Sequence, residues 1–70
     1  MIKYRLGDKN FPCPVCGQYT FKMFGNYEVC PVCNWENDDA QYDNPDEDGG
    51  ANRMSLNQAR EAWKKGEKVI

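Results

Sequence analysis

The tetrapeptide Cys13-Pro14-Val15-Cys16 recurs 17 residues later as Cys30-Pro31-Val32-Cys33, and no other feature constrains the fold as tightly. These are all four cysteines of a 70-residue chain that has no histidine. A chain of this length buries too little of its surface for the hydrophobic effect alone to hold a fold comfortably, so a staple is expected: disulfides, a structural metal or oligomerisation. No apolar run follows the N-terminal residues, and no stretch approaches the roughly 18 apolar residues of a membrane span. The reading is an unexported, cytoplasmic protein. In that reducing compartment paired C-x-x-C thiols bind metal or do redox chemistry more often than they form two stable disulfides.

Tetrahedral zinc takes four thiolates at about 2.3 Å, and two facing C-x-x-C loops supply them. The residue after each pair is Gly17 or Asn34, types that tolerate the left-handed backbone needed to turn amides toward sulfur. Pro14 and Pro31 stiffen the loops. Cys13, Cys16, Cys30 and Cys33 are therefore the expected ligands of one structural Zn2+. The same four sulfurs suit a single iron, and the C-P-x-C-G loop is also used by rubredoxins, so iron is the closest rival. A thiol switch in which oxidation releases the metal is the remaining alternative.

Between the two copies, Tyr19, Phe21 and Met23 alternate with polar residues, and Tyr27 and Val29 flank Glu28. This predicts a hairpin. A three-residue loop, Phe24-Gly25-Asn26, opposes Met23 to Tyr27 and Phe21 to Val29, with Asn26 left-handed. Residues 1–10 read as an edge strand or a loose arm, and residues 36–50 as an acidic loop without apolar period. Ser55 with Gln58 three residues on is a capping-box signature. Leu56, Ala59, Ala62 and Trp63 follow on one face, which predicts an amphipathic helix over 56–65. The fold class expected for residues 1–70 is a small metal-stabilised α+β domain: a zinc-ribbon β-hairpin with two C-P-x-C knuckles, an acidic loop and one C-terminal amphipathic helix. Trp35, Trp63, Phe11 and Tyr42 are expected in its core.

The segment 36–48 carries seven acidic residues and no basic one, whereas Arg53, Arg60, Lys64, Lys65 and Lys68 all lie downstream. Within it Asn44, Asp46, Asp48 and Gly49 match the opening of a calcium loop. The twelfth position is Ser55, where a bidentate glutamate belongs, so the segment reads as a turn-rich loop with Ser55 as a helix cap. There is no histidine and no catalytic constellation, and a four-cysteine metal has no open coordination position, so the chain is not expected to be an enzyme.

Residues 11–16, residues 27–36 (Y-E-V-C-P-V-C-N-W-E) and residues 49–60 (G-G-A-N-R-M-S-L-N-Q-A-R) together resemble the small bacterial cysteine-rich CPCC family. The family's first knuckle often reads C-P-C-C, whereas Val15 stands at the extra position here. The resemblance implies the knuckle architecture and no established activity. Gly49, Gly50, Asn52 and Arg60 match the family pattern, and structural roles are assigned to them, with Arg60 pairing with the acidic loop. Four thiolates and a zinc ion take the formal charge from −2 to about −4. Such a surface suits a protein partner, one of basic character. The alternative function is nucleic-acid binding, with the downstream cations on phosphates and Tyr27 or Phe24 stacking on bases.

Overall fold

A computed structural model of the protein describes residues 4–70. The element order is β1 (Lys9–Pro12), β2 (Thr20–Met23), α1 (Asp39–Asp43) and α2 (Leu56–Lys64), an α+β arrangement with one two-stranded antiparallel sheet.

The hairpin has a different partner from the one that alternation suggests. β2 pairs with β1, with Lys9 opposite Met23, Phe11 opposite Phe21 and Pro12 opposite Thr20. Residues 27–29 form no strand; Val29 makes an isolated antiparallel bridge with Glu36 instead. Each cysteine pair thus sits in a turn closed by its own flanks. The Cys13 amide donates to the Tyr19 carbonyl (2.8 Å) and the Cys30 amide to the Trp35 carbonyl (2.8 Å). Pairing runs within each copy rather than between them, the shorter closure being entropically cheaper. The left-handed residues of the 24–27 turn are Gly25 (φ 77°) and Tyr27 (φ 59°), not Asn26. Asn26 instead spends its side chain as a local cap, accepting the Glu28 amide (3.0 Å) and the Asn37 side-chain amide (2.8 Å).

The edge strand expected within residues 1–10 falls in part outside the described residues, at 1–3. Of the remainder, Lys9 and Asn10 belong to β1, and Tyr4 packs edge-on against Phe11 with ring centroids 4.7 Å apart. The β1–β2 pair carries its aromatic face onto α1. Phe11 lies edge-on to Phe24 (4.8 Å) and Tyr42 (5.1 Å), and Phe24 edge-on to Tyr42 (5.3 Å). Such offset geometries suit the ring quadrupoles. Trp35 is fully buried beside the cysteines, as are Leu56 and Ala59 of α2.

The acidic segment is not a loop throughout. Asp38 caps α1, accepting the amides of Ala40 (2.9 Å) and Gln41 (3.2 Å) through Oδ1, while its Oδ2 accepts the Ala51 amide (3.0 Å). Buried Gln41 donates from Nε2 to the carbonyls of Glu47, Asn52 and Met54, and its Oε1 accepts from the amide and side chain of Asn52. Asn52 in turn brackets Glu36, accepting its amide (2.8 Å) and donating to its carbonyl (2.9 Å). Among the described residues no buried side-chain nitrogen or oxygen lacks a partner. The segment orders despite its seven acidic residues because Asp38 alone of them is buried, and its carboxylate is supplied with amide donors.

α2 begins where the capping box places it. The Ser55 hydroxyl accepts the Gln58 amide (3.1 Å), and the Gln58 side chain accepts the Ser55 amide (2.9 Å). Leu56, Ala59 and Ala62 form its buried stripe, while Trp63 is half-buried at the stripe's edge. Lys65 closes the helix as its C-cap. No helix among the described residues is long and apolar enough to cross a membrane.

Candidate metal centre

Two loops deliver the four cysteines to one point. In each, the residue after the second cysteine turns left-handed, Gly17 at φ 68° and Asn34 at φ 75°. Its amide returns to the carbonyl of the first cysteine, Gly17 to Cys13 (3.0 Å) and Asn34 to Cys30 (2.9 Å). The helical rise of such a turn brings the two sulfurs of a C-x-x-C pair to the same side. All four Sγ atoms lie within 4.8 Å of one another. Across the loops, Cys13 approaches Cys33 at 3.5 Å and Cys16 approaches Cys30 at 3.7 Å. A tetrahedron of sulfurs 2.3 Å from a central ion has edges of about 3.8 Å. The arrangement therefore fits one thiophilic metal ion.

Backbone amides converge on the sulfurs in the same order in both copies. Val15 and Cys16 direct theirs at Cys13, and Val32 and Cys33 at Cys30. Gln18 serves Cys16 (3.4 Å) and Trp35 serves Cys33. Such donors stabilise thiolate over thiol. Burial opposes them. It pushes the Cys13 thiol up to about 11 and Cys33 further in the same direction, despite the amides. At Cys30 burial also acts upward, but the Cys33 and Val32 amides and the hydrogen bonds of the Cys16 and Cys33 thiols together offset it and the net direction is down. Buried thiolates in this density require a compensating cation, which a divalent ion supplies.

Connections around the centre differ from the expected ones. Arg60, expected against the acidic segment, donates its Nε to the Pro14 carbonyl (2.8 Å) and so ties α2 to the first loop. Asn34 donates its side-chain amide to the Val69 carbonyl (3.1 Å), tying the second loop to the C-terminal segment. Phe24, a candidate for base stacking, is buried in the aromatic cluster, whereas Tyr27 is 55% exposed. The Asn44–Gly49 stretch holds no convergent carboxylate set; Asp46 accepts the Asn57 side-chain amide (2.8 Å). Sequence reasoning missed the buried Asn37, Asp38 and Gln41. One signal was available, since Asp38 and Gln41 have the same cap spacing as Ser55 and Gln58.

The profile of a family described as cysteine-rich CPCC matches residues 11–66, which contain the four cysteines, α1 and α2. No curated protein matches the chain. The chain belongs to the cysteine-rich CPCC family.

Proposed function

We propose that this member of the cysteine-rich CPCC family is a zinc-stabilised scaffold that binds another protein through its surface and carries out no catalysis of its own. The observation that supports it is the closed sulfur quartet: four cysteines within 4.8 Å of one another, each with an amide donor. Four thiolates fill a tetrahedral coordination sphere and leave no position for a substrate or water, which is the signature of a structural site. The all-thiolate tetrahedral set suits zinc, and iron, which the same set also holds, is the ion the test must distinguish from it. The overall charge of about −4 in the loaded state favours a basic partner.

Native mass spectrometry tests the metal: one zinc per chain is expected, and intense visible absorption from thiolate-bound iron in protein from the source cell would overturn it. Nucleic-acid binding is the second reading, favoured by the exposure of Tyr27 and of Lys64, Lys65 and Lys68. Two of its elements are engaged elsewhere, Arg60 at Pro14 and Phe24 in the core. Micromolar oligonucleotide binding that weakens steeply with salt would favour it over the protein scaffold.

A further inference from the structure

The two C-P-V-C loops have the same sequence, and their sulfurs have unequal cover. Cys13, Cys30 and Cys33 are buried, and Cys16 alone of the four is half-buried. Its counterpart in the second loop is Cys33, so the repeat allows a direct comparison. Cys33 is followed by Asn34, whose side-chain amide donates to the Val69 carbonyl (3.1 Å) and ties the C-terminal segment to that loop. Cys16 is followed by Gly17 and Gln18, both exposed, and a Cβ placed on Gly17 would have no atom within 4 Å. Solvent therefore reaches the quartet at Cys16. Across the loops its sulfur lies 3.7 Å from that of Cys30, so a second thiol stands within reach of whatever forms there.

We propose that Cys16 is the oxidation site of the metal centre, where a hydroperoxide reacts first and Cys30 completes a disulfide that opens the centre. This site rests on the reading of a zinc held by four thiolates, and it adds the route by which that hold is lost. Sulfurs bound to a divalent ion are thiolates at neutral pH, so access decides which of them reacts. The Cys16 thiolate attacks one peroxide oxygen. The O–O bond breaks, the sulfur becomes a sulfenic acid and hydroxide leaves. The Cys30 thiolate then attacks the Cys16 sulfur, the S–O bond breaks, a second hydroxide leaves and a disulfide joins the two loops. Two electrons have passed from the pair of sulfurs to the peroxide. Cys13 and Cys33 remain as ligands, two in place of four, too few to retain the ion.

The test uses zinc-loaded full chain, its metal content established by native mass spectrometry before any reagent is added. With substoichiometric N-ethylmaleimide the first adduct should fall on Cys16, in about tenfold excess over each of the other three sulfurs. Peptide fragmentation separates Cys16 from Cys13. Trypsin cuts after Lys22, between the two loops, so a Cys16–Cys30 bond made by hydrogen peroxide should appear as a linked pair of peptides. Zinc should reach a chromophoric indicator at the rate at which that pair forms. A first adduct on Cys13, Cys30 or Cys33 overturns the site, and so does a peroxide-made disulfide confined to one loop. A loaded centre inert to millimolar peroxide overturns it too while leaving the structural zinc intact. A chain that takes up no zinc overturns both readings.

Discussion

The cysteine centre and the acidic segment that follows it are both packed with polar groups, and they solve that problem in opposite ways. At the centre the groups are all of one kind. Sulfurs of the two loops crowd to 3.5 and 3.7 Å, and burial drives the Cys13 and Cys33 thiols up. Neutral thiols avoid the buried charge, whereas a cation held among the four sulfurs would let them ionise. In the segment spanning residues 36–54 the groups are complementary. Asp38, Gln41 and Asn52 satisfy one another and the surrounding backbone. That region is complete from its own atoms. The two are joined through Glu36 and Asn37, whose amides run to Asn52 and Glu28 respectively. The self-sufficient region is therefore tied to the one that could take a ligand.

Removing the metal should break both. Structural zinc contributes roughly 10 to 16 kcal/mol of apparent binding free energy in small domains, against roughly 5 to 15 kcal/mol of net stability for a whole domain. A nine-residue helix is marginal by itself. Chelation should erase the α2 circular-dichroism signal and the Trp35 fluorescence environment in one concerted step. Helix that survives complete metal removal would show that the polar network stands alone, and would dissolve the dependence just drawn.

Protons compete with the metal for the sulfurs of the centre, which sharpens the comparison. Metal binding must displace protons from the thiols, those that burial raises at Cys13 and Cys33 among them, so apparent affinity should fall by at least roughly a hundredfold per pH unit on acidification through neutrality. The loaded protein is thus stable at neutral and alkaline pH and loses stability as pH falls. For metal-free protein the sign reverses. Cys13, raised from 9.0 to about 11, contributes stability that is fully present below pH 9 and lost as pH rises through 11. Cys33 acts in the same direction, and Cys30, shifted down, offsets part of it. Zinc-release titrations at fixed temperature measure the first slope; a flat profile between pH 8 and 5 would contradict the thiol assignment.

Gln41→Ala attacks the other region. It orphans the carbonyls of Glu47, Asn52 and Met54 and removes the acceptor for Asn52, at a cost of about 3 kcal/mol. The urea midpoint should drop, while the variant still binds one zinc. Gly50→Ala should cost less, about 1 to 3 kcal/mol, because the added Cβ would sit 2.8 Å from both Asp38 Oδ2 and Gln41 Cδ. Ser55→Ala removes one cap bond and should cost about 1 kcal/mol. If either network variant loses zinc in the folded state, the two regions are not separable.

The sequence by itself determined the parts whose signals are local. A four-residue motif repeated at fixed spacing commits four cysteines to two loops, and the left-handed turns at Gly17 and Asn34 follow from residue types that permit them. Ser55, Gln58 and the Leu56–Ala59–Ala62 stripe specify α2 within a residue of its observed end, since caps and amphipathic period act within a turn or two. Tertiary structure decided what each segment meets. Phe21 had two apolar partners at strand spacing, Val29 and Phe11, and alternation cannot choose between them. The aromatic cluster of Phe11, Phe24 and Tyr42 makes the choice. The acidic segment orders because Asn52 and Met54, 11 and 13 residues away, receive the side chain of Gln41. Arg60 likewise reaches Pro14 across 46 residues of chain. Such contacts depend on where the backbone has already been brought, and no periodicity within a segment encodes them.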